Sequence, residues 1–114
     1  NQMSAARYNL VIDQGSDYAE SFTLNENGSV KNLTGYSARA QMRTSKSSSV
    51  VAANFTCTIS TPANGTVVMS LSNATSSALT AGVYVYDLEL FTASDALVSR
   101  ILQGSVDLTQ EVTR

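Results

Sequence analysis

The segment LTAGVYVYDLELF, residues 79–91, decides how this chain is read. From Tyr84 onward the residues alternate: Tyr84, Tyr86, Leu88 and Leu90 form one set, and Val85, Asp87 and Glu89 fall between them. A period of two sends the sets to opposite faces of a β-strand, one toward a core and the other toward solvent. The strand that follows, ALVSRILQGSVDL after the turn TASD, closes a hairpin with it.

The same period runs outward through the rest of the chain. ARYNLVID (6–13) and YAESFTLN (18–25) read as strands joined by the turn QGSD, with Tyr18, Glu20, Phe22 and Leu24 on one face. ENG is a chain-reversal signal, because Gly28 takes positive φ without a side-chain clash. VKNLTGY reads as a short edge segment or an irregular connection. SARAQMRT (37–44) points Ala38, Ala40 and Met42 one way and Arg39, Gln41 and Arg43 the other. VVAANFTCTIS and GTVVMSLS form a hairpin around TPANG, which sets Phe55, Cys57 and Ile59 against Val67, Met69 and Leu71 in one core layer. NATSSALTAG is the one stretch of helical composition, with Asn73 as the N-cap and Gly82 as the stop.

A leucine, a short spacer and a glycine ahead of Tyr84 resemble the corner between the fifth and sixth strands of immunoglobulin-type sandwiches, where a tyrosine hydroxyl bonds back to the backbone. That likeness assigns the role to Tyr84. The chain has no tryptophan and carries Tyr86 where antibody domains place a cysteine, so the likeness is to the sandwich architecture alone. Turn signals every 8–12 residues favour two sheets over a closed barrel. The expected fold is all-β, an immunoglobulin-like two-sheet antiparallel sandwich of seven to eight strands with one helical turn near residues 73–80, and residues 1–114 form one domain.

Composition narrows the function. A chain of 114 residues, 43% hydrophobic, is the size of one modest core. No apolar run reaches the roughly 20 residues of a membrane-spanning helix, and the first residues lack the basic start and apolar middle of a signal peptide. A net charge of −2 offers no basic footprint for nucleic acid. With no histidine, the commonest general base and metal ligand is missing. The single cysteine, Cys57, has no partner for a disulfide and reads as a small buried residue on a strand.

Chemistry therefore falls to carboxylates. Asp87 and Glu89 share a strand face, and Asp13, Asp17 and Glu20 surround the first turn. Either set has the ligand type for a hard cation or for acid/base work. Acids alternating with apolar residues are also what a solvated strand face looks like, and Asp87 and Glu89 are expected to pair across strands with Arg39 and Arg43. The first-turn acids lack the spacing of a calcium loop. The tyrosines and phenylalanines, with most of them pointing inward, read as core; a sugar platform would need exposed rings, for which Tyr8, Tyr18 and Tyr36 are the candidates. Five sequons, at Asn27, Asn32, Asn54, Asn64 and Asn73, are weighed against the abundance of Ser and Thr and read as chance. No catalytic, cofactor-binding or metal-binding residue is assigned.

NLTGYSARAQMR, LTAGVYVYDLEL, SRILQG and the closing EVTR together resemble a family of small tailed-bacteriophage proteins, similar to the immunoglobulin-like N-terminal module of baseplate upper proteins and to fibre-associated domains. Leu33, Thr34, Gly35 and Tyr36 match the family's first motif, and Ala81, Gly82, Tyr84, Tyr86, Asp87 and Leu88 match its second. Arg100, Leu102, Gln103 and Gly104, then residues 111–114, match the last two. Ile101 replaces a leucine, and Gln110 stands where relatives carry proline. The resemblance implies a nearly complete small protein and a non-enzymatic virion structural role without cofactor. That role is a tail, baseplate or fibre-attachment adaptor, present in several copies and contacting other virion proteins, with no nucleic-acid or membrane partner. The alternatives are a capsid decoration protein and, more distantly, a host-surface glycan-binding module.

Overall fold

The computed structural model describes residues 6–26, 28–93 and 97–110. The EVTR motif, the second half of the TASD turn and the sequon at Asn27 lie outside the described residues. The chain is mostly β, with strands β1 (Ala6–Arg7), β2 (Leu10–Asp13), β3 (Tyr18–Thr23), β4 (Asn25–Glu26), β5 (Ser29–Val30), β6 (Ser37–Arg43), β7 (Ala53–Thr58), β8 (Thr66–Leu71), β9 (Gly82–Phe91) and β10 (Val98–Thr109). One short helix, α1 (Asn73–Ala78), stands between β8 and β9.

Hydrogen bonding links eight strands in the order β1-β10-β9-β6-β7-β8-β3, with β2 also on β10; β4 and β5 form a separate hairpin. The all-β expectation holds. The path differs from two separate antiparallel sheets in two ways. Ala53 and Phe55 of β7 pair with β6, whereas Thr56–Thr58 pair with β8, so one strand joins what would otherwise be two sheets. β1 and β2 both run parallel to β10, which makes the sheet mixed.

The sheet curls because its apolar residues share one side. Met42, Val67, Met69, Leu88, Leu90 and Val106 are all fully buried in a single core. Curling brings the two ends of the path together, and the Tyr8 ring meets the Phe22 ring of β3 edge-on at 5.3 Å. The Phe55, Val67, Met69 and Leu71 layer forms as expected, with Cys57 and Ile59 partly buried against it. Leu33, in the NLTGY connection, is also fully buried. Asn32 Oδ1 accepts from the Thr34 N–H at 3.0 Å and from its hydroxyl at 2.7 Å, and Gly35 takes φ 87°, a tight turn that aims Leu33 inward.

Three local expectations are corrected. The leading strand 6–13 is broken at Tyr8 and Asn9, because the Tyr8 carbonyl lies against Gly104 of β10 and Asn9 Oδ1, in place of a backbone carbonyl, accepts from the Ser105 N–H at 3.1 Å. The cap of α1 is Ser72, whose Oγ accepts from the Thr75 N–H at 3.2 Å; the Asn73 N–H instead donates to Asp17 at 2.7 Å. Finally, α1 ends at Ala78 with Leu79 as its C-cap, and Gly82 opens β9.

The Tyr84 hydroxyl donates to the Thr80 carbonyl at 2.5 Å, the corner bond expected from the sequence. Tyr86, two residues on, donates to the Tyr8 carbonyl at 2.6 Å and so ties β9 to the break between β1 and β2. Ser76, the fully buried polar residue of α1, accepts from the Gly15 N–H and donates to the Ser16 carbonyl, which locks the helix to the first turn.

Candidate functional site

The face of β6, β9 and β10 that points away from the core is written in charge. Register sets Arg39 opposite Glu89, Gln41 opposite Asp87 and Arg43 opposite Val85; on the other side of β9, Arg100 faces Glu89 and Gln103 faces Asp87. Arg39 Nε lies 2.9 Å from Glu89 Oε1, one cross-strand pair of the kind expected, and its guanidinium also lies 4.5 Å from the centre of the Phe91 ring. Arg43, the other cation expected to pair with these acids, meets neither. Asp87 Oδ2 meets Arg100 Nε at 3.3 Å, and Arg43 donates to Gln41 Oε1 at 2.5 Å. The cause is register: Arg43 falls opposite Val85, whereas Arg100, opposite Glu89, lies diagonal to Asp87; next to it a one-residue bulge between Arg100 and Leu102 buries both Ile101 and Leu102. Solvent-facing pairs of this kind contribute about 0.2–1 kcal/mol each.

Beside these pairs lies a groove of about 500 Å³, whose charged lining is Arg7, Arg43, Lys46, Arg100 and Asp87. Arg7 reaches it from β1, Arg43 from β6 and Lys46 from the loop after β6, while Gln103 and Ser105 of β10 lie between them. Counting Arg39, this face holds five of the chain's seven Lys and Arg residues. The chain is therefore net acidic and yet locally cationic.

A second groove, of about 560 Å³, follows the seam where β1 and β3 approach, lined by Tyr8, Glu20, Phe22, Leu24, Ile101 and Leu102 among others. Glu20 is gripped there by two phenols, Tyr8 at 2.5 Å and Tyr18 at 2.7 Å. The hydrogen bond to Glu20, followed by its negative charge, raises the pKa of Tyr8; burial is the largest cause for Tyr18, followed by the same bond. Both phenols thus remain donors, and Glu20 is the one carboxylate among the lining residues.

The other acids of the first turn are occupied separately. Asp13 accepts from the Thr109 hydroxyl at 2.6 Å and Asp17 caps the Asn73 N–H, so the three do not converge. Among the described residues no group of three or more metal-ligating side chains occurs. Burial pushes the Cys57 thiol up to about 11, so it stays protonated at neutral pH. Of the aromatic candidates, Tyr8 is exposed, whereas Tyr18 and Tyr36 are half-buried, the latter with the Lys31 ammonium 5.2 Å from its ring centre. Arg7 and Lys46 escaped the sequence reading because neither lies in a patterned basic stretch; only the strand order β1-β10-β9-β6 brings them to Arg43.

No family model and no curated protein matches the chain. Among solved structures it is similar to a family 123 glycoside hydrolase from Clostridium perfringens, described in a study of glycolipid glycan hydrolysis, at 12% identity and a TM-score of 0.42. That match covers 95% of this chain, which spans 24% of the other. A likeness so slight carries no argument about fold or function. No helix among the described residues is long and apolar enough to cross a membrane.

Proposed function

We propose that this chain is a non-enzymatic structural module of a tailed-phage virion, an adaptor of the tail, baseplate or fibre-attachment region that works through protein–protein contacts. The motif residues shared with the phage family support this reading, because here they are joints of the framework and not chemistry. Leu33 fills the core, Gly35 makes the turn beside it, Tyr84 makes the corner bond and Gly104 admits the Tyr8 carbonyl. The corner bond carries the reading furthest: a residue singled out by the family likeness has a specific architectural role.

The fold belongs to the same proposal, as a variant of the immunoglobulin-like sandwich. β3, β8 and the second half of β7 make one sheet, and β2, β10, β9 and β6 make the other. The parallel pairing of β2 with β10 and the tyrosine corner favour it. β7 is then a strand that changes sheets part-way.

Antibody labelling of intact particles, viewed by electron microscopy, tests the function. Label at the tail tip or fibre bases is the expected result. Label spread over the head would transfer the chain to capsid decoration, and absence from purified particles would end the virion reading altogether.

A further inference from the structure

The two carboxylates nearest the groove are paired with arginines, whereas three of its cations meet no carboxylate; Asp107, farther along the outward face of β10, is not among the lining residues. Glu89 pairs with Arg39 and Asp87 with Arg100. Among the described residues Arg7, Arg43 and Lys46 have no carboxylate partner, although they border the same groove of about 500 Å³. We propose that this groove is a docking site for an acidic polypeptide segment, a short run of Asp or Glu side chains presented by a neighbouring protein and held by Arg7, Arg43 and Lys46. The adaptor reading supplies only the setting; the binding chemistry belongs to the groove itself.

The geometry suits carboxylates. Two guanidinium groups reach the groove from strands separated by β10 and β9, so an extended segment crossing the face meets a planar, forked donor on each side. Lys46 adds a third charge from an exposed loop. Between the cations, Gln103 and Ser105 offer neutral side chains able to bond a peptide backbone.

Other polyanions fit less well. Sugars and unpaired bases are usually held by stacking on an aromatic ring, and the one aromatic residue bordering the groove, Tyr86, is 4% exposed with its hydroxyl engaged by Tyr8. A long nucleic acid would run past the groove onto a chain whose net charge is −2. A brief acidic run matches the limited local surplus of positive charge.

The test is fluorescence anisotropy of a labelled hexaglutamate peptide titrated with the whole chain at low ionic strength. Saturable binding that weakens with added salt is expected. Arg7→Gln, Arg43→Gln and Lys46→Gln should each weaken it about two- to fivefold, and the triple variant about tenfold or more if the three act independently. Lys31→Gln, which removes a cation outside the groove, should leave the affinity unchanged. The proposal is overturned by an absence of saturable binding, or by equal losses in the Lys31 and groove variants. It is overturned as well by tighter binding of a sulfated oligosaccharide or an oligothymidylate of equal charge, either of which would give the groove to another ligand. The two proposals fail separately: particles labelled at the tail with no peptide binding would remove this site and keep the adaptor, and peptide binding by a chain absent from particles would do the reverse.

Discussion

Gly104→Ala tests the join between the leading strands and β10 most directly. A Cβ built on Gly104 would stand 2.2 Å from the Tyr8 carbonyl oxygen, 2.8 Å from its carbon and 2.9 Å from Asn9 Oδ1, distances inside van der Waals contact. The obstacle is backbone and it is held on several sides. The Tyr8 N–H donates to the Gln103 carbonyl at 2.9 Å, the Tyr86 hydroxyl donates to the Tyr8 carbonyl at 2.6 Å, and Asn9 accepts from Ser105. Overpacking of this kind costs about 1–3 kcal/mol. Displacing Tyr8 to relieve it sacrifices one or two hydrogen bonds worth about 0.5–1.5 kcal/mol each. Alanine restricts the unfolded chain and returns about 0.4–1 kcal/mol. The net loss should be about 2–4 kcal/mol, a large part of the about 5–15 kcal/mol that holds a domain folded. Urea unfolding followed by far-UV circular dichroism measures it, with Tyr86→Phe as the partial lesion that loses one of these bonds and introduces no clash. A Gly104→Ala midpoint equal to wild type, or no worse than that of Tyr86→Phe, would refute the close approach.

Three further outcomes follow from the same structure. Leu33→Ala should destabilise by about 2–5 kcal/mol in the same urea assay, since it empties a fully buried position in the connection between β5 and β6. Tyr84→Phe should lose about 0.5–1.5 kcal/mol by leaving the Thr80 carbonyl without its donor, and should leave peptide binding in the groove unchanged. Stability should fall at alkaline pH: the pKa values of Tyr8, Tyr18, Tyr86 and Cys57 are all raised in the folded state, so the unfolded chain gives up these protons first as pH rises. The contribution is complete below the ordinary values of 9.0 for Cys57 and 10.0 for the tyrosines and is lost above them; urea midpoints that stay flat from neutral pH to pH of about 11 would contradict it.

What was legible in the sequence was whatever repeats within one strand or one turn. Alternation from Tyr84 to Leu90 names the buried side of β9, and the Thr80–Tyr84 bond spans a separation of four residues. What was not legible depends on residues brought together from far apart. The break at Tyr8 requires Gly104 to face it, and Asn9 finds Ser105 across 96 positions. The bulge at Ile101 has no glycine to announce it, because SRILQG reads as an ordinary strand with two adjacent apolar residues. Alternation offers Arg39 and Arg43 as partners for Asp87 and Glu89 without a register; Arg39 meets Glu89 because the register opposes them, and Arg43 meets neither acid, since it falls opposite Val85. Charge pairing was thus readable in kind and unreadable in register.

The two features that escaped the sequence are physically one. Arg7 directly precedes Tyr8, and its own partner on β10 is Gln103, so the contacts that fix the Tyr8 backbone also fix where Arg7 leaves the sheet. A cation mounted on so constrained a backbone has only its side chain left to order when it meets an anion, whereas Lys46 stands on an exposed loop. The groove therefore has one preorganised side and one adaptable side. It follows that relaxing Tyr8 should weaken the hexaglutamate complex even though Arg7 is untouched, and Tyr86→Phe, which frees the Tyr8 carbonyl without changing any charge, isolates that effect. If Tyr86→Phe bound the peptide as tightly as wild type while Arg7→Gln did not, Arg7 would act as a free surface charge and the join at Gly104 would serve the fold alone.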